Sequence, residues 1–317
     1  MTEADPPRLI LGWNVGGTTS TAVVGDATGR ILARRQWASR VDAGPDPMRR
    51  DFLNHAEQLR CEHADVDAVG VSVGGPVDTR RGVVHSPPHL PGWTDVPLAD
   101  LLEGELHLAT VVEHDAVACL LAEWLWGAAA GATHAAYLTC GTGCGAALMI
   151  DGRIVRGPAG ESPEFGHVRL AADGPVMFDK AGCVESFCSG AGIAQLACFL
   201  FPSRFDGPTG PKRLAELAAG GDPAADAVLA EAARRTGQAC AILTDLFCPQ
   251  VIVLGTLARH LGPAWVQQVR DALAEEALPI NAAATRIAPA DLAERLQDLS
   301  PVAACVHRLN VTPEGHP

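Results

Sequence analysis

The sequence contains few aromatic residues and almost no lysine. Aromatic residues make up 5% of the 317 residues, and tyrosine occurs once, at Tyr137, so the hydrophobic cores must be built mainly from Ala, Val and Leu. Only Lys180 and Lys212 among the 24 cationic residues are lysines, and 37 acidic residues bring the net charge to −13. Binding to nucleic acid or to an anionic membrane surface requires clustered positive charge, so this composition argues against both as partners.

Long apolar runs are also missing. No run reaches the ~20 residues that a membrane-spanning helix needs, and residues 1–8 are polar and proline-bearing, unlike a secretory signal peptide. The hydrophobic fraction of 48% is ample for two domains of about 150 residues. A chain of this size does not need disulfide bonds for stability, so we expect the ten cysteines to be reduced thiols of a cytoplasmic protein.

One arrangement of strands and turns recurs in the two halves of the chain. Strands are predicted over residues 9–15 and 20–24, and again over 135–139 and 146–150, with a Gly/Thr-rich turn inside each pair. This recurrence indicates a duplicated α/β fold with mixed sheets and a cleft between the copies. We predict an N-terminal α/β domain over residues 1–118, completed by a C-terminal helix over 301–317, and a C-terminal α/β domain over 119–300.

The second half of the chain becomes helical after its strand pair. Apolar periodicity predicts helices over residues 186–201, 213–219, 223–247 and 263–277, interrupted by a strand over 251–254. The predicted C-terminal helix then returns to the N-terminal domain.

The two Gly/Thr-rich turns are candidate phosphate-binding loops. Glycine allows close approach of a ligand to backbone N–H groups, and hydroxyl side chains add further donors. One such turn is more often an ordinary hairpin, but a second copy favours the phosphate interpretation. The candidate residues are Gly16, Gly17, Thr18 and Thr19 in the first turn, and Gly141, Thr142 and Gly143 in the second.

Asp115 lies where a predicted strand over 110–113 meets a predicted helix over 115–128. Aspartate is favoured at helix N-termini, so a structural capping role is one interpretation. The other is a general base in a ligand-binding cleft, because strand ends in α/β folds are common ligand sites. The spacing alone leaves both open.

Seven short segments occur in the order that is typical of one protein family. They are residues 16–18, 70–78, 90–93, 113–115, 141–143, 164–167 and 182–185. On these segments the chain resembles the ROK family of bacterial sugar kinases, within the actin/hexokinase superfamily, over about residues 9–309. The resemblance implies a two-domain actin/hexokinase-like (ribonuclease H-like) α/β fold that closes over ATP and a sugar, and a homodimer.

The resemblance also implies roles for individual residues. Asp115 would be the base that takes the proton of the attacking primary hydroxyl, and Mg²⁺ would bridge the phosphates of ATP. The implied substrate-binding residues are Gly75, His89, His114, Asp115, Glu164, His167 and Glu185. The implied cofactor-binding residues are Asn14, Gly16, Gly17, Thr18, Thr19, Gly141, Thr142, Gly143 and Gly255.

The chain departs from the family pattern at its expected metal sites. Asn14 replaces the aspartate of the first phosphate loop, so that position contributes no charge to Mg²⁺ binding. Of the ligands of the family's zinc site only His167 and Cys183 remain, and Met177 and Asp179 stand where others are expected. Two ligands cannot form a closed tetrahedral site, so we predict no structural zinc. The glycine-rich adenosine segment is reduced to residues 253–257.

Two further departures concern the substrate. His89 and His114 replace asparagines that, in typical glucose-type members, contact the 3- and 4-hydroxyl side of the ring. This change favours a modified hexose-like substrate of specialised metabolism such as antibiotic biosynthesis. A neutral C7-cyclitol of the valiolone type is favoured over kanosamine, because histidines are poor partners for an ammonium group, and glucose stays possible. A non-catalytic ROK-like sugar-binding protein is the alternative, motivated by Asn14 and the missing zinc ligands.

Overall fold

The computed structural model describes residues 9–158 and 160–310. By their contacts, the described residues divide into two compact units. Of the described residues, unit 1 comprises 9–130, 156–158, 160–162 and 294–310, and unit 2 comprises 131–155 and 163–293.

Strands and helices are numbered in chain order. The strands are β1 (Leu9–Val15), β2 (Thr19–Asp26), β3 (Ile31–Ala38), β4 (Val66–Val73), β5 (Val77–Asp78), β6 (Val83–Val84), β7 (Val96–Pro97), β8 (Ala109–His114), β9 (Ala135–Leu138), β10 (Ala146–Ile150), β11 (Arg153–Ile154), β12 (Val176–Met177), β13 (Lys180–Ala181), β14 (Val251–Leu254) and β15 (Arg286–Pro289). The helices are α1 (Pro45–Glu62), α2 (Leu98–Leu106), α3 (Asp115–Trp126), α4 (Val184–Cys188), α5 (Gly190–Leu200), α6 (Pro211–Ala219), α7 (Pro223–Phe247), α8 (Thr256–Glu276), α9 (Pro279–Ala284) and α10 (Leu296–Asn310).

The main sheets of the two units have the same topology. The strand order is β3-β2-β1-β4-β8 in unit 1 and β11-β10-β9-β14-β15 in unit 2. In each sheet the first three strands pair antiparallel and the last two join in parallel. The predicted duplication and the mixed α/β actin/hexokinase-like fold are thereby confirmed, while the cleft stays a prediction.

One face of the unit 1 sheet carries an aromatic core. Side chains alternate between the faces of a strand, and Trp13 of β1 points to the side covered by α1. Its ring stacks on Phe52 at a centroid distance of 4.5 Å and lies 6.4 Å from Trp93. All three rings are fully buried, and Val, Leu and Ala side chains complete this core.

The opposite face of that sheet is covered by α10. Gly12 and Gly70 lie in register on β1 and β4, and a Cβ added at Gly70 would overlap the carbonyl of Pro301 in α10. The C-terminal helix therefore packs directly against the sheet backbone, as the prediction that it completes the first domain requires.

The boundary between the units differs from the predicted one at residues 118/119. That position lies inside α3, which packs on α10 and stays whole within unit 1. Unit 1 also takes in Arg156–Ser162, far along the chain. The predicted C-terminal helix begins earlier, at Leu296, and residues 311–317 of the prediction lie outside the described residues.

The predicted helices and strands of the second half are mostly confirmed. The helix over 223–247 and the strand over 251–254 have the predicted bounds. The single helix over 186–201 is wrong: Ser189 adopts extended backbone angles and caps α5 by accepting a hydrogen bond from Gly192 N–H at 2.9 Å, so the segment forms α4 and α5. Helix α8 begins at Thr256, but Gly262 interrupts it with non-helical backbone angles, so the helical segment after this break begins at residue 263 as predicted.

Two further features bear on the sequence expectations. No helix among the described residues combines the length and apolarity required to cross a membrane. Buried thiols are concentrated in unit 2, where a hydrogen bond with Cys140 and burial hold the pKa of Cys144 well above its usual value, and burial does the same for Cys188 and Cys240. These groups stay neutral thiols near pH 7.

Replacing Gly70 with Ala is expected to lower the free energy of unfolding by about 2 kcal/mol or more, because a side chain there forces α10 away from the sheet. Gly104→Ala, at an exposed position of α2, is the matched control, since an added Cβ there meets no atom within 4 Å. It should be neutral or stabilising by up to about 1 kcal/mol. Urea unfolding followed by tryptophan fluorescence measures both. Equal stabilities of the two variants would contradict the packing of α10.

Candidate functional site

A row of polar residues crosses the unit 1 sheet where β1, β4 and β8 end. Asn14 pairs in register with Thr21 on one side and with Ser72 on the other, and Ser72 pairs with Glu113. Residues in register share a face of the sheet. Among the described residues, the hydroxyls of Thr21 and Ser72 are buried without a hydrogen-bond partner. Buried unpartnered hydroxyls beside an amide indicate a place where a polar ligand or water is expected.

The first Gly/Thr turn joins β1 to β2. Gly17 and Thr18 are exposed at its tip, and a Cβ added at Gly16 would overlap the carbonyl of Thr19. Ser39 fastens the turn, because its hydroxyl donates to the carbonyl of Gly16 at 2.6 Å and its N–H donates to the carbonyl of Thr18 at 2.9 Å. The backbone at the tip is thus held in place and accessible.

Asp115 is the first residue of α3, directly after β8. Its Oδ1 accepts the N–H of Ala116 at 2.6 Å and lies 3.6 Å from Nε2 of His114. The residue at the helix N-cap is His114, whose side chain makes no capping bond. Since 47% of the Asp115 side chain is exposed, the carboxylate is oriented by its neighbours and open to a ligand.

His114 is buried against a glycine. Only 7% of the residue is exposed, and a Cβ added at Gly75 would overlap the imidazole ring. Among the described residues, Nδ1 of this ring has no hydrogen-bond partner. The structure thus brings Gly75, His114 and Asp115 together, and their role in substrate binding stays a prediction. His89 lies exposed in the turn before Leu90.

A buried ion pair supports this strand–helix junction. The Glu113 carboxylate accepts from Nη1 of Arg156 at 3.0 Å and from Nη2 at 2.5 Å, and its Oε1 also accepts the N–H of His114 at 2.9 Å. Glu113 is 5% exposed. Arg156 further donates to the hydroxyl of Thr79 and to the carbonyl of Gly160. It therefore ties residues 156–160 to the base of the Asp115 site.

In unit 2 the second Gly/Thr turn joins β9 to β10. Thr139 closes it, accepting the N–H of Gly145 at 2.8 Å. The carbonyls of Gly141 and Thr142 accept N–H groups of Gly190 and Ala191 at the start of α5.

Gly255 packs directly against this second turn. Its N–H donates to the carbonyl of Leu138, and a Cβ added to it would overlap the carbonyl of Thr139. The close approach requires glycine, and it places the start of α8 beside the turn. The reduced segment over 253–257 is therefore adjacent to Gly141, Thr142 and Gly143, as the predicted nucleotide role requires; direct contact with a nucleotide stays a prediction.

Glu185 lies beneath the same turn. One carboxylate oxygen, Oε2, accepts the N–H of Cys144 at 2.9 Å. The other, Oε1, is buried and, within the described part of the chain, has no hydrogen-bond partner. Glu185 is 6% exposed, and a buried carboxylate oxygen without a hydrogen-bond donor is costly, so water or a polar ligand is expected beside it.

Glu164 and His167 lie at the two ends of one short 3-10 turn. Glu164 precedes Phe165–His167, and its carbonyl accepts the N–H of His167 at 3.1 Å. Both residues are exposed. The His167 ring stacks on Phe178, with centroids 4.2 Å apart and planes 21° apart.

The residues around His167 do not fit the family's zinc site. Cys183 is fully buried, Met177 accepts a hydrogen bond from Gln195 through its sulfur, and Phe178 covers a face of the His167 ring. Across residues 9–158 and 160–310, no group of three or more His, Cys, Asp or Glu side chains is arranged to hold a metal. The absence of zinc stays a prediction.

The donors at the first turn fit Mg²⁺ bound together with a nucleotide. Asn14, Thr21 and Ser72 offer neutral oxygens only, and Glu113 is neutralised by Arg156. Mg²⁺ prefers to keep several waters and bind through few protein oxygens plus phosphates. These residues could contact metal-bound water, with ATP supplying the anionic ligands.

Sequence reasoning missed several residues of the site. Arg156, Thr139 and Thr21 belong to none of the seven segments, and Ser72 lies in one of them without an assigned role. The importance of all four follows from strand register and from contacts distant in sequence. Glu113 was noticed only as part of a motif. A buried carboxylate at a strand end needs a cation, and that requirement could have prompted a search for an arginine.

Comparison with known proteins identifies relatives over most of the chain. The sequence model of the ROK family matches residues 10–295. The glucokinase of Streptomyces coelicolor is 30% identical over 262 residues, which are 78% of this chain and 81% of that protein. The crystal structure of a ROK family glucokinase from Streptomyces griseus in complex with glucose and AMPPNP is 29% identical, with a TM-score of 0.78, and the match covers 95% of this chain and 100% of that one. The DNA-binding transcriptional repressor Mlc of Escherichia coli is 24% identical over 74% of this chain and 60% of its own length.

Proposed function

The chain belongs to the ROK family, and from this premise we propose that it is a sugar kinase that transfers the γ-phosphoryl group of ATP to the primary hydroxyl of a hexose-like substrate. The observation that carries the proposal is Asp115, an accessible carboxylate held at the junction of β8 and α3 by the N–H of Ala116. The glucokinases among its relatives support the same activity.

The reaction requires one proton transfer and one displacement. Asp115 removes the proton of the substrate hydroxyl, the hydroxyl oxygen bonds to the γ-phosphorus, and the bond to the β,γ-bridging oxygen breaks, which releases ADP. Phosphoryl transfer depends mainly on positioning and charge stabilisation. When bound, Mg²⁺ would neutralise phosphate charge. In each unit the Gly/Thr turn offers backbone N–H groups that can bind phosphate oxygens without any lysine, so a protein with a net charge of −13 can still bind ATP.

Three residues of unit 2 are assigned to the substrate's ring hydroxyls. Glu185 supplies the buried Oε1 that lacks a donor, and Glu164 and His167 supply exposed groups on the adjoining 3-10 turn. Carboxylates accept from hydroxyls and imidazole can donate or accept. Together they distinguish a polyhydroxylated ring from other alcohols.

His114 is proposed to determine which ring is accepted. Its buried, unpartnered Nδ1 demands a hydrogen-bonding group on the ligand, and its ring fills the space beside Gly75. We favour a neutral C7-cyclitol of the valiolone type, since an imidazole gives an ammonium group little stabilisation. Kanosamine and glucose are the competing substrates.

A coupled ADP-release assay tests the proposed activity. The panel comprises glucose, mannose, N-acetylmannosamine, kanosamine and valiolone epimers, each with Mg-ATP. Turnover with one or more of them is expected, and kcat/KM ranks the substrates. Absence of turnover with every compound, together with tight sugar binding by calorimetry, would instead support the non-catalytic sugar-binding alternative, which Asn14 and the repressor relative favour.

Replacing Asn14 with Asp is expected to lower the Mg²⁺ concentration for half-maximal rate by about three- to tenfold, because an added carboxylate attracts the metal. The unpartnered hydroxyls of Thr21 and Ser72 lie in register with it and can donate to the new charge. Mg²⁺ titration at fixed ATP measures the change. The control Asn54→Asp lies in α1 and should leave the Mg²⁺ concentration for half-maximal rate unaltered. If Asn14→Asp gave the same Mg²⁺ titration curve as the parent protein, Asn14 would not be linked to the metal.

Two further properties belong to this proposal. We expect a homodimer, which light scattering coupled to gel filtration would distinguish from a 33.0 kDa monomer. We also expect a cytoplasmic location, which fractionation of the source cells would test.

A further inference from the structure

The hairpin beside His167 has an unusual turn. Strands β12 and β13 are joined by Phe178 and Asp179, with φ angles of +51° and +55°. Two left-handed residues are what a tight two-residue hairpin needs, and Asn and Gly are favoured there. A bulky aromatic at positive φ is rare and persists only when other contacts hold it. Packing of the Phe178 ring must therefore stabilise this backbone conformation.

That packing is on His167. The two rings stack at 4.2 Å, and Nζ of Lys180, on the same hairpin, donates to the backbone carbonyl of His167 at 2.6 Å. The hairpin thus contacts both the ring and the main chain of one residue. Within the described residues, no side chain is hydrogen-bonded to the ring nitrogens of His167.

The hairpin itself is anchored to the body of unit 2. Met177 accepts from Nε2 of Gln195 in α5 at 3.2 Å. Arg169 donates to the carbonyl of Ala181 at 2.6 Å, and the N–H of Gly182 donates to the carbonyl of Pro175 at 3.1 Å. A fixed hairpin can hold His167 in one orientation, whereas a loose one cannot.

We propose that Phe178 is a positioning residue: together with Lys180 it orients His167 for substrate binding. In a chain with the complete set of zinc ligands, the zinc ion would orient this histidine. This inference rests on the proposed function. A metal occupies one imidazole nitrogen, while a stacked ring occupies neither. His167 can therefore present either nitrogen to a substrate hydroxyl, and the hydroxyl-binding site needs no metal.

Three variants separate stacking from turn geometry. Phe178→Asn removes the ring but suits the left-handed turn, Phe178→Tyr keeps the ring, and Phe199→Ala removes an exposed phenylalanine of α5 as the matched control. We expect Phe178→Asn to raise the sugar KM about tenfold and to leave kcat and the KM for ATP within about twofold. The other two variants should match the parent protein. The proposal would be overturned if Phe178→Asn left the sugar KM unchanged. It would also be overturned if the sugar KM, the KM for ATP and kcat all worsened by the same factor.

A second measurement does not depend on catalysis. In the protein without ligands, trypsin should cleave after Arg169 several-fold faster in Phe178→Asn than in Phe178→Tyr, because the segment beside His167 is released. Equal cleavage rates would refute the positioning role even if no sugar were phosphorylated, so failure of the proposed function is distinguishable from failure of this inference.

A third measurement addresses the metal directly. Calorimetric sugar affinity without ATP should be unchanged, within about twofold, after dialysis of the protein against 1,10-phenanthroline. A tenfold loss that added Zn²⁺ restores would overturn the proposal, since it would show that a metal orients the site.

Discussion

Replacing Asp115 with Asn is expected to lower kcat by about 10³-fold, because general base catalysis by a positioned carboxylate contributes roughly 10²–10⁴-fold. Asparagine has the same shape, and its amide oxygen can still accept the N–H of Ala116 as Oδ1 does at 2.6 Å. It cannot accept the proton of the substrate hydroxyl. Coupled ADP release measures kcat, and calorimetry should show sugar affinity within a few-fold of the parent.

The chain contains a matched control for this variant. Asp151 also lies 3.6 Å from Nε2 of a histidine, His134, and its side chain is 83% exposed. Asp151→Asn should leave kcat unaltered. If Asp115→Asn retained the parent rate as well, Asp115 would be a structural residue at the start of α3, and the base would have to be sought elsewhere.

Replacing Arg156 with Met is expected to lower the free energy of unfolding by about 3 kcal/mol or more, because it leaves the Glu113 carboxylate buried without a cation. Burial lowers the pKa of His307 in the parent protein, the charge of Glu113 opposes this shift, and the charges of Arg156 and Arg308 add to it. Urea denaturation measures the loss. The sugar kinase rate should also fall, because Glu113 holds the N–H of His114 next to Asp115.

A double variant distinguishes charge from packing. Glu113→Gln combined with Arg156→Met removes the buried charge, and we expect it to recover part of the lost stability. The control Arg213→Met breaks an exposed pair with Glu216, whose side chains are 62% and 51% exposed, and should cost less than about 1 kcal/mol. A loss as small in Arg156→Met as in the control would show that Glu113 does not depend on its partner.

Local sequence patterns were sufficient for much of the fold. Strand β1 and helix α7 have the predicted bounds, since alternation along a buried strand and a 3.6-residue apolar period depend only on neighbouring residues. The repeated strand–turn–strand segment predicted the shared topology of the two sheets. Local patterns failed at Ser189, where a serine side chain caps a new helix and divides an apolar segment that reads as continuous.

In the candidate site, too, some features are predicted by local sequence and others depend on the tertiary structure. Asp115, the two Gly/Thr turns and the altered zinc positions are readable in the sequence because each is a short segment with a residue type that suits one chemistry. The partnership of Glu113 with Arg156 joins residues 43 positions apart, and the contact of Phe178 with His167 depends on how one hairpin lies on a neighbouring turn. Such pairs are set by register and packing, which no local pattern encodes.

By itself, the sequence determined the class of the protein, the repeated strand–turn–strand arrangement of its two halves, and the place of the proposed base at a strand–helix junction. Only the tertiary structure decided which side chains support that base and what covers His167 where zinc ligands are missing. It also decided which buried oxygens of Glu185, Ser72 and Thr21 have no partner among the described residues. The physical reason is that hydrogen bonds, ion pairs and ring contacts act over a few ångströms in space, and the fold alone brings distant residues within that range.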